Sequence, residues 1–166
     1  MSRDTVRIAL TIASLNDLEV KSSNVMNAFI TAPCADKIWT TLGPEFGDNV
    51  GKKAIIVQAL YGLKSSGASF GNHIADFMRL LGYEPCRADP DLWFKAQVRP
   101  NDDSEYYEYV LIYVDDSLTI SHDAMAALDQ MDKFCMMKKG SIENPDIYLG
   151  AKLRKVQLDN CVFTWG

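Results

Sequence analysis

Two adjacent carboxylates, Asp115 and Asp116, follow the most strand-like segment of the chain. Eight of the nine residues from Tyr106 to Val114 are tyrosines or aliphatic residues, and a second apolar run, Leu118 to Ile120, comes soon after the pair. This pattern predicts a β-hairpin with both aspartates in its tight turn. Like charges held side by side next to apolar strands require a counter-ion, and hard divalent cations bind carboxylate oxygens.

A solvated turn is the alternative interpretation of the same two residues. Aspartate is common in turns because its side chain accepts hydrogen bonds from nearby backbone groups. A two-residue hairpin turn, however, prefers Asn-Gly or Asp-Gly over two aspartates. Taken alone, the pair therefore leaves both a metal site and a simple turn open.

The elements around the hairpin are predicted from hydrophobic periodicity and turn residues. Helices are predicted from an Asp4 cap to Leu15, over Ser65–Tyr83 with Gly82 as the stop, and over His122–Met137. Strands are predicted over Leu18–Val25, Asp91–Val98, Tyr106–Val114 and Ser117–Ser121. A further strand is predicted from Lys37 to a turn at Gly43-Pro44, and a buried strand over Ala54–Leu60. A final strand pair is predicted within Asp146–Gly166, with its turn near Leu158–Asn160. The core order is strand, helix, strand, strand, helix, strand. It predicts an α+β fold of the ferredoxin-like or split βαβ type, an antiparallel sheet with helices on one face.

Length and composition predict one globular domain over residues 1–166. Of these residues, 48% are hydrophobic and 23% charged, and the net charge is −5. A surface that coats nucleic acid is therefore not expected, although a local basic groove remains possible. No apolar run approaches the ~20 residues of a membrane span, so no membrane association is expected.

The cysteines and histidines are scattered along the chain and show no metal-ligand spacing, so a zinc site is not expected. They are Cys34, Cys86, Cys135, Cys161, His73 and His122. Scattered cysteines predict reduced thiols and an intracellular location, cytoplasm or nucleus. The first apolar run, Ile8 to Leu15, is short, and it favours an amphipathic helix over a signal peptide.

Four motifs, in order along nearly the whole chain, resemble the copia-type reverse transcriptases of LTR retrotransposons. "YVDD" (residues 113–116) is similar to the catalytic signature of reverse transcriptases, and "ALYGLKSSGASF" (59–70) resembles the family's "LYGLK" stretch. "YLGAKL" (148–153) resembles the segment after the last palm helix, and "SSNVMNAFITAP" (22–33) resembles the stretch around the first catalytic aspartate. The resemblance implies the palm of an RNA-directed DNA polymerase.

The resemblance also implies roles for individual residues. Such polymerases use two divalent metals, Mg²⁺ or Mn²⁺, about 3.5–4 Å apart, for in-line attack of the primer 3′-hydroxyl on a deoxynucleotide. Asp115 would be a principal metal ligand and Asp116 a supporting one. Tyr113 would lie beside the incoming nucleotide and the primer end. Lys64, with Gly62 just before it, would help to place template and nucleotide. An RNA or DNA primer–template is the implied partner.

The chain departs from the family at the first catalytic aspartate, because Asn24 occupies that position. An amide oxygen binds magnesium weakly and cannot bridge two cations as a carboxylate does. Weak metal binding and impaired catalysis are therefore expected.

The chain also departs from the family in the segments that it contains. The fingers, thumb and RNase H regions of the family are expected to be absent from these residues. A palm without them would expose its former interfaces and favour self-association or a protein partner. Two functions stay open: a reverse transcriptase domain whose missing parts lie elsewhere, and a non-catalytic, retroelement-derived binding module.

Overall fold

The computed structural model describes residues 1–157 and 163–165. The chain divides into two compact units, Met1–Met26 with Phe77–Gly166, and Asn27–Asp76. The helices are α1 (Arg3–Leu15), α2 (Ala28–Thr31), α3 (Ser66–Leu80) and α4 (Ala124–Asp132). The strands are β1 (Glu19–Asn24), β2 (Trp39–Thr41), β3 (Lys53–Ile55), β4 (Glu84–Pro85), β5 (Leu92–Val98), β6 (Glu105–Tyr113), β7 (Asp116–Ser121), β8 (Ile147–Tyr148), β9 (Ala151–Lys152), β10 (Lys155–Gln157) and β11 (Phe163–Trp165). The predicted turn near Leu158–Asn160 lies outside the described residues.

A five-stranded antiparallel sheet in the order β1-β7-β6-β5-β4 forms the centre of the first unit. The tyrosine-rich strand β6 pairs with β5 over seven residues and with β7 over five, and β7 pairs with β1 over six. The mixed α+β class and the antiparallel sheet follow the expectation. The chain after α4 returns beside β1, where Ser22 pairs with Glu143 and Val25 with Met137.

The two faces of this sheet carry different covers. Leu118 and Ile120 of β7 belong to a buried cluster with Leu10 of α1. Helix α4 contacts β7 and β1, and its buried side chains are not members of that cluster, so α4 lies against the opposite face. The expectation of helices on one face was therefore wrong for α1. The reason is that β7 is buried on both faces from Ser117 to Ser121, so other elements must cover each face.

The N-cap of helix α1 lies two residues earlier than predicted. Ser2 has an extended backbone, and its Oγ accepts a hydrogen bond from the Thr5 N–H at 3.1 Å. Asp4 lies inside the first helical turn, where its negative charge interacts favourably with the helix dipole. The prediction of an Asp4 cap was wrong because both residue types cap helices and Ser2 comes first.

The second unit contains a separate two-stranded sheet in which β2 pairs with β3. The prediction of a buried strand over Ala54–Leu60 was wrong. Strand β3 spans only Lys53–Ile55, and most residues from Lys53 to Leu60 are exposed or half-buried. A short apolar run is compatible with several environments, and periodicity cannot choose between them. No helix among the described residues combines the length and apolarity needed to cross a bilayer.

Candidate functional site

The hairpin that carries the two aspartates has a two-residue loop, Val114 and Asp115. Strand β6 ends at Tyr113, strand β7 begins at Asp116, and these two residues are cross-strand partners. The placement of both aspartates in the turn was wrong for Asp116, which is the first residue of β7. Alternate residues of a strand face opposite sides, so Asp116 shares a face with Leu118 and Ile120.

Val114 has a left-handed backbone, with φ of 55°. A β-branched residue rarely adopts this region, because its side chain clashes with the backbone there. Such strain costs on the order of 1–3 kcal/mol and persists only where the surrounding structure enforces it. Here β6 and β7 pair on either side of the loop and hold it closed. The strain lies at the residue between Tyr113 and Asp115, within the sequence motif that predicted a site.

Asn24 lies directly opposite Asp116 at the end of β1. Its Nδ2 donates a hydrogen bond to Asp116 Oδ1 at 3.0 Å. The Val25 N–H donates to the backbone carbonyl of Asp115 at 2.7 Å. The structure thus brings Asn24 beside the adjacent pair Asp115 and Asp116, which is about ninety residues away in sequence.

The segment after α4 fixes Asn24 from its other side. The Asn24 N–H donates to Ser141 Oγ at 3.1 Å, and the Lys138 N–H donates to the Asn24 carbonyl at 2.8 Å. On the opposite face of the sheet, Ser23 Oγ and Ser117 Oγ are 2.5 Å apart and buried. These contacts fix the backbone of β1 at Asn24, from which its side chain reaches Asp116.

The donor set does not fit a two-metal centre. Within the described residues, no group of three or more His, Cys, Asp or Glu side chains could hold a metal ion. Asp115 and Asp116 supply two carboxylates, and the third position presents an N–H donor to Asp116. A donor hydrogen repels a cation, whereas Mg²⁺ and Mn²⁺ need oxygen lone pairs. The amide satisfies one Asp116 oxygen in the way a cation otherwise would.

Tyr113 lines a groove of about 960 Å³ on the same side as Asn24 and Asp116. The groove runs between the first half of α1 and the β8–β9 hairpin, and its floor includes Leu10, Tyr148 and Leu153, which are buried. Its charged side chains are those of Arg3, Arg7 and Lys152, and none of the described residues that line it is an aspartate or glutamate. Arg7 also forms an exposed ion pair with Asp4 at 3.6 Å. Three basic side chains thus lie close together in a chain whose net charge is −5.

Tyr148 connects the groove to the aspartate hairpin. Burial, and after it the carboxylates of Asp116 and Asp91, raise the pKa of the Tyr148 phenol above its ordinary value. Its hydroxyl therefore stays neutral and donates to the Leu111 carbonyl at 3.4 Å. Sequence reasoning missed the part of α1 in this groove, although the four-residue spacing of Arg3 and Arg7 puts both on one helix face.

Gly62 and Lys64 lie in the second unit, in the turn before α3. Gly62 has φ of 95°, which favours glycine, but a Cβ there would meet nothing within 4 Å. The turn is tied by Ser66 Oγ, which donates to the Leu60 carbonyl at 2.6 Å. Lys64 is exposed. Gly62 is therefore explained by its backbone angle, and the role of both residues in substrate placement stays a prediction.

The fold and site define an α+β chain with a strained Asp-Asp hairpin beside an asparagine, and its relatives are retrotransposon proteins. It is 30% identical over 122 residues, 72% of its length, to a retrovirus-related Pol polyprotein from transposon TNT 1-94 of Nicotiana tabacum. It is 23% and 22% identical over 157 residues, 92% of its length, to the retrovirus-related Pol polyproteins from transposons RE2 and RE1 of Arabidopsis thaliana.

The chain spans 9–10% of the length of these polyproteins. No protein-family model and no solved structure matches it. Its homologues are thus Pol polyproteins of plant transposons, and a retroelement origin is supported.

Proposed function

We propose that the chain is the palm of a copia-type reverse transcriptase, an RNA-directed DNA polymerase, in a form that is impaired in polymerisation. The observation that carries the proposal is Asn24 facing Asp116 across β1 and β7. A polymerase palm needs carboxylates from two different strands at one point. In the antiparallel register of β1 and β7, Asn24 lies opposite Asp116, and this proximity supports the proposal.

The strand arrangement supports the palm interpretation. The segment around residues 137–143, β1, β7 and β6 lie side by side in that order. A split βαβ unit has this order, in which the last strand returns beside the first. The strained loop at Val114 also supports a functional hairpin, since strain of this kind clusters at functional sites. The similarity to Pol polyproteins supports the same interpretation as the strand order and the strained loop.

Impairment follows from the donor set. Asp115 and Asp116 are the residues that would hold a divalent cation, and in this family Mg²⁺ or Mn²⁺ activates the primer hydroxyl. With an amide at Asn24, we expect one ion to bind weakly and no bridged pair to form. The chain's own residues would then contact a primer–template without extending it.

The second candidate is a non-catalytic module that binds nucleic acid or protein. The observation in its favour is the groove beside Tyr113, where three basic side chains surround an apolar floor and no carboxylate lines it among the described residues. Cations along a groove attract the phosphate backbone of nucleic acid whatever its sequence. Both candidate functions use this groove, and they differ only in whether the protein adds nucleotides to a primer.

A paired binding and extension assay tests the proposal. A fluorescent primer–template duplex with a 5′ overhang is titrated with the parent chain, Lys152→Glu and Lys133→Glu. Lys152 lines the groove, whereas Lys133, the exposed C-cap of α4, does not, so Lys133→Glu controls for net charge.

We expect salt-sensitive binding that Lys152→Glu weakens several-fold more than Lys133→Glu does. We also expect no primer extension with deoxynucleotides and either metal. Efficient extension would contradict the impairment. Equal binding by both variants would contradict the groove as the nucleic-acid surface.

A further inference from the structure

The small sheet of the second unit has an unusual degree of exposure. Strands β2 and β3 are three residues each, and all side chains of β2 are exposed. Trp39 and Ile55 are cross-strand partners on one face, with 62% and 42% of their surface exposed. A two-stranded sheet of this size is marginally stable alone in water. An added strand would stabilise it.

The hydrogen-bond pattern shows which backbone groups of β2 are open. The Leu42 N–H donates to the Lys52 carbonyl at 3.0 Å, and the Ile56 N–H donates to the Ile38 carbonyl at 2.9 Å. In an antiparallel ladder such bonded positions recur every second residue, so Thr40 also faces β3. The N–H and C=O groups of Trp39 and Thr41 point away from β3. Within residues 1–157 and 163–165, no hydrogen bond engages them.

The two outer edges of this sheet differ in charge. The β3 edge carries Lys53, with Lys52 just before it, and lysine on an edge strand opposes pairing with another chain. The β2 edge has the sequence Trp-Thr-Thr, with neither charge nor proline. The outer strand of the main sheet, β4, is also protected, because it is two residues long and contains Pro85. Strand β2 is thus an unprotected edge.

We propose that β2 pairs antiparallel with β2 of a second copy of this chain, about a two-fold axis at Thr40. Trp39 of each copy then lies opposite Thr41 of the other. Each of the two pairs exchanges two backbone hydrogen bonds, and a four-stranded sheet results. The exposed Trp39–Ile55 faces of the two copies become continuous. This inference does not depend on the polymerase interpretation.

Charge favours a second copy as the occupant. The strand carries no charge, and its open N–H and C=O groups, those of Trp39 and Thr41, lie symmetrically about Thr40. A two-fold axis at Thr40 therefore pairs open donors with open acceptors, as an isologous contact requires. The lysines stay apart, since the two Lys53 strands are separated by both copies of β2, about 14 Å at the usual strand spacing. The contact is short and buries less than the ~1,200–2,000 Å² of a permanent interface. We therefore expect a dimer that dissociates on dilution.

Sedimentation velocity over a concentration series tests the edge directly, with the parent, Thr41→Pro and Thr41→Val. Proline removes the outward N–H of Thr41 and leaves the β2–β3 ladder intact, because that N–H does not face β3. Valine also removes the hydroxyl but keeps the N–H. We expect dimer formation by the parent and by Thr41→Val, and at least tenfold weaker dimerisation by Thr41→Pro. A parent that stays monomeric throughout, or three equal dissociation constants, would overturn the proposal.

A cysteine cross-link tests the register and does not rely on the folding of the proline variant. The axis places Thr40 opposite its own copy in a non-hydrogen-bonded pair, with Cα atoms about 4.5 Å apart, within disulfide range. Thr40→Cys should form a covalent dimer under mild oxidation. The parent, with its own cysteines, and Thr41→Cys should do so much less. Equal cross-linking by all three would contradict pairing through β2.

Discussion

Asn24 and Asp116 show how one amide alters what the hairpin can bind. An aspartate at position 24 would present two acceptor oxygens, whereas the asparagine donates an N–H to Asp116 at 3.0 Å. The backbone around position 24 keeps its hydrogen bonds to both neighbouring segments. An aspartate at position 24 would therefore change the chemistry of the site within the same backbone hydrogen bonds.

Val114 offers a prediction at the same scale. Val114→Gly should raise the free energy of unfolding by about 1 kcal/mol, because glycine adopts a left-handed backbone without steric cost. The matched control is Val98→Gly, an exposed valine in β5. That change should lower stability by roughly 0.5–1 kcal/mol, since glycine loses more conformational freedom on folding than valine does. Urea unfolding of both variants measures the difference, and a loss of stability in both would contradict strain at Val114.

At the scale of elements, the cap of α4 gives a second prediction. Asp123 Oδ1 accepts a hydrogen bond from the Ala126 N–H at 2.9 Å. Asp123→Ala should therefore lower the free energy of unfolding by about 0.5–2 kcal/mol. Asp129→Ala, an exposed change within the same helix, should be neutral or slightly stabilising, because alanine is the better helix former. Equal thermal shifts for the two variants would exclude Asp123 as the cap.

The elements also show what could be predicted from sequence. Helix α3 and the β6–β7 hairpin were predictable because periodicity and turn residues agree over many positions. The motif resemblance predicted that Asn24 lies near Asp115, whereas the hydrogen bond from Asn24 to Asp116 was not predicted. The bounds of strand β3 and the Ser2 cap could not be predicted. Several nearby residues suit each role equally well, and the surrounding structure selects among them. The groove was missed because it joins α1 to β8 and β9, which are distant in sequence.

For the molecule as a whole, buried phenols predict how stability depends on pH. Burial, and then the Glu108 carboxylate, raise the pKa of Tyr83, whose hydroxyl donates a hydrogen bond to Glu108. The pKa of Tyr148 is also raised, mainly by burial. A group with a raised folded pKa stabilises the protein fully below its unfolded pKa, near 10 for tyrosine, and loses that contribution above it.

Stability should therefore fall as pH rises above about 10. Burial also raises the pKa of the Cys135 thiol to about 11, which adds a loss of the same sign above about pH 9. Tyr83→Phe should reduce the alkaline loss. At neutral pH it should cost about 1–3 kcal/mol, because Glu108 loses a donor while Ser121 still binds it. Urea unfolding at neutral and alkaline pH checks this, and an unchanged alkaline slope in Tyr83→Phe would contradict it.

Thermal melting of the parent, Asn24→Asp and Asn24→Ala, each with chelator and with Mn²⁺, tests most directly whether Asn24 occupies the place of a metal-binding carboxylate. In chelator, both variants should be less stable than the parent, because both lose the hydrogen bond from the Asn24 amide to Asp116. In Asn24→Asp, repulsion between the new carboxylate and those of Asp115 and Asp116 lowers stability further. Added Mn²⁺ should stabilise Asn24→Asp by roughly 1–3 kcal/mol more than the parent, from the strength of charged-group interactions, and Asn24→Ala should gain nothing extra. If Asn24→Asp gains no more from Mn²⁺ than the parent and Asn24→Ala do, Asp115 and Asp116 have only a structural role in this hairpin, and its assignment as a palm metal site is contradicted.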